Sequence, residues 1–129
     1  MLVDSHCHLD KLKFRQNSDV RGSVKSPKKN RKSSPSECPE NLHMALIDAR
    51  ARGVGGFLCI GTDTEGFGNV LSIAESSQDI WCSAGIHPLT ETNQEGISET
   101  NLFDLASSSP KVVAVGECGL DYYYRQDRR

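Results

Sequence analysis

The segment VVAVGECGLDY, residues 112–122, runs from an apolar stretch directly into a carboxylate, Glu117, framed by Gly116 and Gly119. Continuous apolar runs bounded by turn residues are typical of strands buried in a parallel sheet. In such a sheet the carboxyl ends of the strands form the ligand-binding edge. The segment therefore predicts a parallel sheet with Glu117 on that edge, although a single solvated acid at a strand end is the alternative.

Three further apolar runs precede this one, at residues 2–3, 57–60 and 81–86. Helical patterns lie between the runs, over 39–52, 64–76 and 99–107, with apolar residues at spacings of three and four. This order, with the later strand centres about 25 to 30 residues apart, is that of right-handed βαβ units. The sequence predicts an α/β fold of four parallel strands and three helices, with the last two strands fully buried. The helix residues expected to face the sheet are Leu42, Ala45, Leu46, Ala49, Val70, Leu71, Ala74, Leu102, Leu105 and Ala106.

The interval after the first run has a different composition from the rest of the chain. Residues 11–32 carry nine Lys or Arg against one acid, Asp19, although the net charge of the chain is −2. A stretch rich in Lys, Arg, Ser and Pro cannot bury enough apolar surface to offset its chain entropy, so we expect a disordered insertion at residues 14–38. Such a basic tract could bind nucleic acid electrostatically, or it could be a solvated insertion without a partner.

Length and composition exclude several classes of protein. The chain has 129 residues, 36% hydrophobic and 25% charged, which fits one folded domain over 1–129 and argues against collagen, coiled coil or general disorder. No apolar run approaches the ~20 residues that a membrane-spanning helix needs, and no secretory signal is visible, so we expect a cytoplasmic protein. Five Cys without a CxxC pair favour structural thiols over a disulfide framework.

The segment LVDSHCHLD, residues 2–10, places two histidines at the end of the first predicted strand. Asp4, His6 and His8 are expected to project to one side there. Two imidazoles spaced i, i+2 can ligate one metal ion, and Asp4 could then orient a ligand from outside. An exposed pair of loop histidines is the alternative, because HxH is common by chance.

The segment AGIHP, residues 84–88, adds a third imidazole to the same edge. His87 could ligate a metal, donate a hydrogen bond to an anionic substrate oxygen, or be a structural residue, whereas His43 in the first helix is interpreted as a surface residue. The Glu117 carboxylate has two oxygens and could bridge two cations. His6, His8 and Glu117 together favour a metal-assisted hydrolase, since the sequence contains no GxSxG, P-loop or GxGxxG motif.

The segments LVDSHCHLD, FLCIGTD, AGIHP and VVAVGECGLDYYY resemble, in order and spacing, the TatD family of metal-dependent deoxyribonucleases within the amidohydrolase-like superfamily. The resemblance covers essentially the whole chain outside residues 11–38. It implies a (β/α)8 TIM-barrel hydrolase with two divalent metal ions (Mg, Mn or Zn) that cleaves DNA phosphodiester bonds. It also implies that His6 and His8 are metal ligands, that Glu117 is a bridging and catalytic carboxylate, and that His87 faces metal or substrate phosphate.

The length of the chain departs from the pattern of that family. A complete barrel typically needs ~250 residues, and the family's later ligands, two histidines and an aspartate, have no counterpart here. The resemblance therefore implies a truncated half barrel. Three functions stay open: a metal-dependent deoxyribonuclease, a related HxH hydrolase acting on phosphomonoesters or cyclic amides, and an inactive fragment with residual metal or nucleic-acid binding. DNA is the expected partner, with no membrane or protein partner.

Overall fold

A computed structural model of the protein describes residues 1–12, 40–90 and 98–124. Four strands form one parallel sheet in the order β1-β2-β3-β4, and a helix lies in each interval between them. The elements are β1 (Leu2–Cys7), α1 (Glu40–Ala51), β2 (Val54–Cys59), α2 (Phe67–Glu75), β3 (Ile80–Ala84), α3 (Glu99–Ser107) and β4 (Val112–Val115). This architecture confirms the predicted α/β fold of four parallel strands and three helices. The predicted disordered insertion at 14–38 lies outside the described residues.

The hydrophobic core lies where α1 and α2 pack against the two central strands. The predicted inward residues Leu42, Leu46, Val70 and Ala74 are all buried, between 0% and 5% exposed. They form one cluster with residues of β2, β3 and α2: Phe57, Cys59, Ile73, Ile80 and Cys82. The helical periodicity of the sequence therefore identified the packed faces of α1 and α2 correctly.

The prediction that β4 is fully buried is wrong. Val113 and Val115 are 56% and 59% exposed, whereas Val112 packs against the core. In the described sheet β4 is an edge strand with the core on one face, so only alternate side chains are covered. The prediction that β3 is buried holds for all of its residues except Trp81, which is 37% exposed.

The cysteines of the described residues are free thiols. Burial raises the pKa of the Cys7 thiol to about 12 and that of Cys82 to about 11, so both stay protonated at neutral pH. Cys59 is also buried, whereas Cys118 is exposed. Buried, protonated thiols behave as small apolar side chains, as the sequence predicts for structural cysteines. Cys38 lies outside the described residues.

None of the helices in the described part of the chain is both long and apolar enough to cross a membrane.

Candidate metal centre

The segments that follow the four strands meet at one edge of the sheet. Four backbone hydrogen bonds of 2.8 to 3.0 Å join these segments: Ile60 N to Cys7 O, Gly116 N to Ala84 O, His87 N to Thr62 O, and Glu117 N to Gly61 O. Each of these bonds joins backbone groups of two different segments, so it holds those segments at a set distance. The edge is therefore a connected frame in which the candidate site residues stand.

Two glycines allow the segments of this frame to come close together. A Cβ atom on Gly85 would overlap the backbone of Gly116 and Glu117, and one on Gly61 would lie 2.5 Å from the carbonyl oxygen of Ser83. Only a residue without a Cβ fits at either position. The amide of Glu117 can consequently reach Gly61 across the end of β3, although β2 and β4 are not neighbours in the sheet.

The first strand brings its two histidines to the same edge through an irregular pairing with β2. Between Asp4 and Cys7 three steps along β1 match two steps along β2, which is the pattern of a β-bulge. Such bulges change the direction of side chains beside functional sites. The Asp4 carboxylate accepts a hydrogen bond from the backbone amide of His6 at 3.2 Å, so it contacts the irregular backbone at His6.

The structure brings His6, His8 and Glu117 together. One nitrogen or oxygen atom from each of the three lies within 4.8 Å of the other two. The His6 and His8 rings meet edge to face, with their centroids 5.2 Å apart. The carboxylate of Glu117 lies between two imidazoles: its Oε2 is 3.9 Å from His6 Nε2 and its Oε1 is 3.5 Å from His87 Nε2. Each carboxylate oxygen therefore faces a different ring.

The donor set of this cluster fits a divalent cation. Within the described residues, His8 Nδ1 is the buried side-chain polar atom that has no hydrogen-bond partner. Leaving a buried polar group unpaired costs about 1–3 kcal/mol. Two imidazoles and a carboxylate are ligands that Zn²⁺ and other divalent transition metals bind. An unpaired imidazole nitrogen beside such a cluster is the feature expected of a metal centre.

The His87 ring is oriented by its own loop. Its Nδ1 accepts a hydrogen bond from the backbone amide of Leu89 at 3.1 Å. In the neutral ring the proton therefore resides on Nε2, the nitrogen that faces Glu117. His87 consequently presents an N–H donor at this edge, which can bind a carboxylate or a substrate oxygen.

A cleft of about 390 Å³ opens beside the cluster. The lining residues are His8, Lys11, Thr62, Asp63, His87, Leu89, Thr90 and Glu117. The sequence pattern shows Lys11 only as one of the basic residues of 11–32 and does not single out Thr62, so neither was predicted as a cleft residue. The position of Lys11, three residues after His8, was the available signal.

Comparisons with known proteins identify the family that the chain resembles. A family model described as TatD related DNase matches residues 3–129. An uncharacterized metal-dependent hydrolase of Buchnera aphidicola subsp. Acyrthosiphon pisum is 29% identical over 133 residues, covering 99% of this chain and 42% of its own. The uncharacterized metal-dependent hydrolase YcfH of Escherichia coli K12 is 28% identical over 132 residues, with 99% and 39% covered. The 3'-5' ssDNA/RNA exonuclease TatD of Erwinia tasmaniensis is 41% identical over 75 residues, covering 57% of this chain and 29% of its own.

A solved structure gives the same result for the fold. The crystal structure of YJJV, a TatD homologue from Escherichia coli K12, matches with a TM-score of 0.60 and 29% identity, over 94% of this chain and 38% of that one. This likeness confirms the predicted fold class, part of a (β/α)8 barrel. The chain spans about two fifths of the length of the relatives that it matches from end to end, 42% and 39% for the two hydrolases. With four sequence segments, the fold and the family model in agreement, the chain belongs to the TatD-related DNase family.

Proposed function

We propose that this chain carries part of the active site of a metal-dependent nuclease that hydrolyses phosphodiester bonds in DNA. The observation that carries the proposal is the convergence of His6, His8 and Glu117, whose donor atoms lie within 4.8 Å of one another. Relatives named metal-dependent hydrolases and 3'-5' ssDNA/RNA exonuclease support a nucleic-acid substrate. For this function residues 1–129 would form one partial barrel domain with an insertion at 14–38.

In this proposal the histidines and the glutamate hold two divalent cations. His6 and His8 would each offer an imidazole nitrogen, and Glu117 would offer its carboxylate, whose two oxygens face His6 and His87. Bound Mg²⁺, Mn²⁺ or Zn²⁺ would supply Lewis-acid activation of water and of a phosphoryl oxygen. Glu117 is the proposed catalytic residue, since its carboxylate would also accept a hydrogen bond from a water that enters the cleft to attack the phosphodiester.

His87 is the proposed substrate-binding residue of the same cleft. Its Nε2 lies 3.5 Å from Glu117 Oε1, which is longer than an ordinary N–H···O hydrogen bond. The His87–Glu117 contact is therefore weak, and breaking it costs little free energy when this N–H donates to a non-bridging phosphate oxygen instead. A donor aimed at the place where negative charge develops stabilises the transition state more than the ground state.

The first test is metal binding by the purified chain after it has been stripped by a chelator. Titration with Mn²⁺ is expected to show at least one bound ion in the wild type. His6→Ala and Glu117→Gln are expected to weaken binding at least about tenfold, because each removes a donor atom of the cluster. His43→Ala is the matched control, since His43 is an exposed histidine on α1 and is expected to leave Mn²⁺ affinity unchanged.

The second test is turnover of end-labelled single-stranded DNA. Cleavage that needs Mn²⁺, stops on chelation and is lost in Glu117→Gln would support the nuclease. Turnover of phosphomonoesters or cyclic amides without cleavage of DNA would favour the related hydrolase, and Mn²⁺ binding without any turnover would favour the inactive fragment. A wild-type chain that binds no Mn²⁺ contradicts the metal centre itself.

A further inference from the structure

We infer that Lys11 and Thr62 form a phosphate-binding arm of the cleft, which holds a phosphate of a bound nucleic-acid strand beside the candidate metal centre. The inference rests on the proposed function. It adds a contact between Lys11 and a substrate phosphate, which the metal cluster does not provide. Lys11 makes the contact, and Thr62 is the positioning residue that holds the Lys11 side chain in place.

The backbone of Lys11 is fixed directly beside the metal cluster. A 3-10 turn over Leu9–Lys11 follows the HxH segment, and the Lys11 amide donates a hydrogen bond to the His8 carbonyl at 3.1 Å. The same short segment thus carries both a candidate metal ligand and a cation. A substrate phosphate in the cleft is therefore within reach of the segment that builds the metal site.

The Lys11 side chain is held in the cleft by Thr62. Its Nζ donates to Thr62 Oγ1 at 2.6 Å, and Thr62 is only 7% exposed. The Thr62 hydroxyl donates in turn to Asp63 Oδ2 at 3.2 Å, which leaves its lone pairs for the ammonium. The Thr62 carbonyl accepts from the amide of His87 and from Thr90 Oγ1, both at 2.9 Å. The anchor of Lys11 is consequently tied to the loop that carries His87.

The charge of Lys11 is available to an anion. Among the described residues it is the only Lys or Arg that lines the cleft, and it has no carboxylate within 4.0 Å in that part of the chain. An ammonium has three donors, and Thr62 takes one. Both oxygens of Asp63 are engaged, one by the Thr62 hydroxyl and one by the Gly66 amide. Two of the three ammonium donors therefore remain for a ligand, and no direct ion pair within the described residues occupies them.

A phosphate is the anion that this cleft fits, given the proposed chemistry. Carboxylates of Asp63 and Glu117 also line the cleft, so a phosphodiester entering it needs a cation that is not already paired. A nucleic-acid strand carries a phosphate on every nucleotide, so a strand lying across the cleft can contact the metal centre and Lys11 at once. The ammonium binds as a point charge and does not read the base sequence.

The test measures binding without turnover. Fluorescein-labelled hexathymidylate is titrated with the purified chain in EDTA, by fluorescence anisotropy, between 50 and 200 mM NaCl. Lys11→Met is expected to weaken binding about three- to tenfold and to lower the salt slope by about 0.7, the value for one phosphate contact on a single strand. Lys11→Arg is expected to keep most of the affinity, and Thr62→Val is expected to weaken binding about threefold without any change in charge.

Arg52→Met is the matched control for the loss of one positive charge. The Arg52 side chain is 76% exposed and precedes the amino end of β2, at the edge opposite the cleft. Equal affinities and equal salt slopes for Lys11→Met and Arg52→Met would overturn the inference. If circular dichroism shows that Lys11→Met is unfolded, Thr62→Val decides in its place, and wild-type affinity in that variant then counts against the inference.

The same variants separate the two proposals. Failure of the wild type to cleave DNA counts against the nuclease, whereas the anisotropy measurement contains no turnover and is unaffected by it. Cleavage by the wild type with an unchanged KM in Lys11→Met overturns the phosphate-binding arm and leaves the nuclease standing. A raised KM with an unchanged kcat supports the arm, because the contact then acts in binding the strand.

Discussion

Gly85 determines where the carboxylate of Glu117 stands. A Cβ at this position would overlap the backbone at Gly116 and Glu117, and the Glu117 amide needs that space to reach the Gly61 carbonyl at 3.0 Å. Because Glu117 faces both His6 and His87, its backbone position sets the geometry of the whole cluster. A substitution at Gly85, which itself supplies no donor atom, should therefore disturb metal binding.

Gly85→Ala is expected to lower Mn²⁺ affinity about 10- to 100-fold, the range seen when groups that orient metal ligands are removed. The physical reason is displacement of the Glu117 backbone by the new methyl group. Isothermal titration of the stripped protein measures the effect, with circular dichroism to verify the fold.

Gly68→Ala is the control, because a Cβ there meets nothing within 4 Å and Gly68 is exposed in α2. It should keep wild-type Mn²⁺ affinity and stabilise the helix by about 0.5–1 kcal/mol. Wild-type affinity in a folded Gly85→Ala variant would show that Glu117 does not need this close approach.

The sequence predicted Glu117 as a site residue but gave no reason to single out Gly85. Glu117 follows its strand directly, so the rule for parallel sheets places it at the ligand edge without further knowledge. The role of Gly85 depends on which backbone passes over it, and that segment lies about thirty residues further along the chain. Contacts of this kind follow from the order and register of strands, which the apolar pattern leaves undetermined.

An ion pair joins the end of α1 to the start of β3. Arg50 Nε donates to Asp79 Oδ2 and a terminal Arg50 nitrogen donates to Asp79 Oδ1, both at 2.7 Å, and the same nitrogen donates to Ser77 Oγ at 3.0 Å. The Arg50 guanidinium lowers the pKa of the Asp79 carboxyl from 3.8 to about 2. The pair therefore ties two elements whose apolar faces meet in the core.

Asp79→Asn is expected to destabilise the protein by about 1–2 kcal/mol at pH 7, the range for a charge-assisted pair that is partly exposed. Because the folded pKa is depressed, the ionised carboxylate contributes its full stability above pH 3.8, and the contribution is lost as pH falls toward 2. Urea unfolding at several pH values should show the wild type and Asp79→Asn converging at low pH.

Asp48→Asn is the control for this pair. Asp48 contacts Arg52 at 3.1 Å, but both side chains are largely exposed, at 67% and 76%. Exposed pairs of this kind on one helix contribute about 0.3–0.5 kcal/mol. A loss of stability in Asp79→Asn no larger than that in Asp48→Asn would contradict a special role for the Arg50 pair.

The helices show how accurately local sequence patterns predict the ends of secondary-structure elements. Residues 99–107 were predicted as a helix and form α3, whose Ser98 side chain caps the first turn. The predicted helix over 64–76 begins only at Phe67, because Asp63 Oδ1 accepts the Gly66 amide and holds a turn ahead of it. Residues that can cap a helix are visible in the sequence within a few positions of its start. The exact first residue of the helix depends on which of these residues the preceding turn uses.

At the scale of the whole molecule, some contacts of the site join residues that are far apart in sequence, and local patterns do not predict them. His6 lies near the end of β1, and His8, His87 and Glu117 follow strands, so their convergence could be predicted from these positions alone. The Lys11–Thr62 contact joins residues 51 positions apart, and it depends on β1 lying beside β2 with an irregular register. Sequence patterns locate strand ends, but they do not determine which side chains beyond those ends touch.

The outer strands of the described sheet expose apolar side chains. Leu2 and Val3 on β1 are 64% and 59% exposed, and Val113 and Val115 on β4 are 56% and 59% exposed. Val112 faces the core, so Val113 and Val115 lie on the sheet face that the helices do not cover. Exposed apolar surface of this kind favours association with another apolar surface, and β1 and β4 also have unpaired backbone edges in the described sheet.

We therefore expect the purified 129-residue chain to self-associate as its concentration rises, through these strands. Val113→Lys is expected to weaken that association at least about tenfold, because burial of an unpaired ammonium opposes the contact. Sedimentation velocity over a concentration series measures the change. Met44→Lys is the matched control, since Met44 is 59% exposed, close to the 56% of Val113, but lies on α1. Equal association of the two variants would show that the contact does not use β4, whereas a monomeric wild type would show that the exposed valines do not drive association.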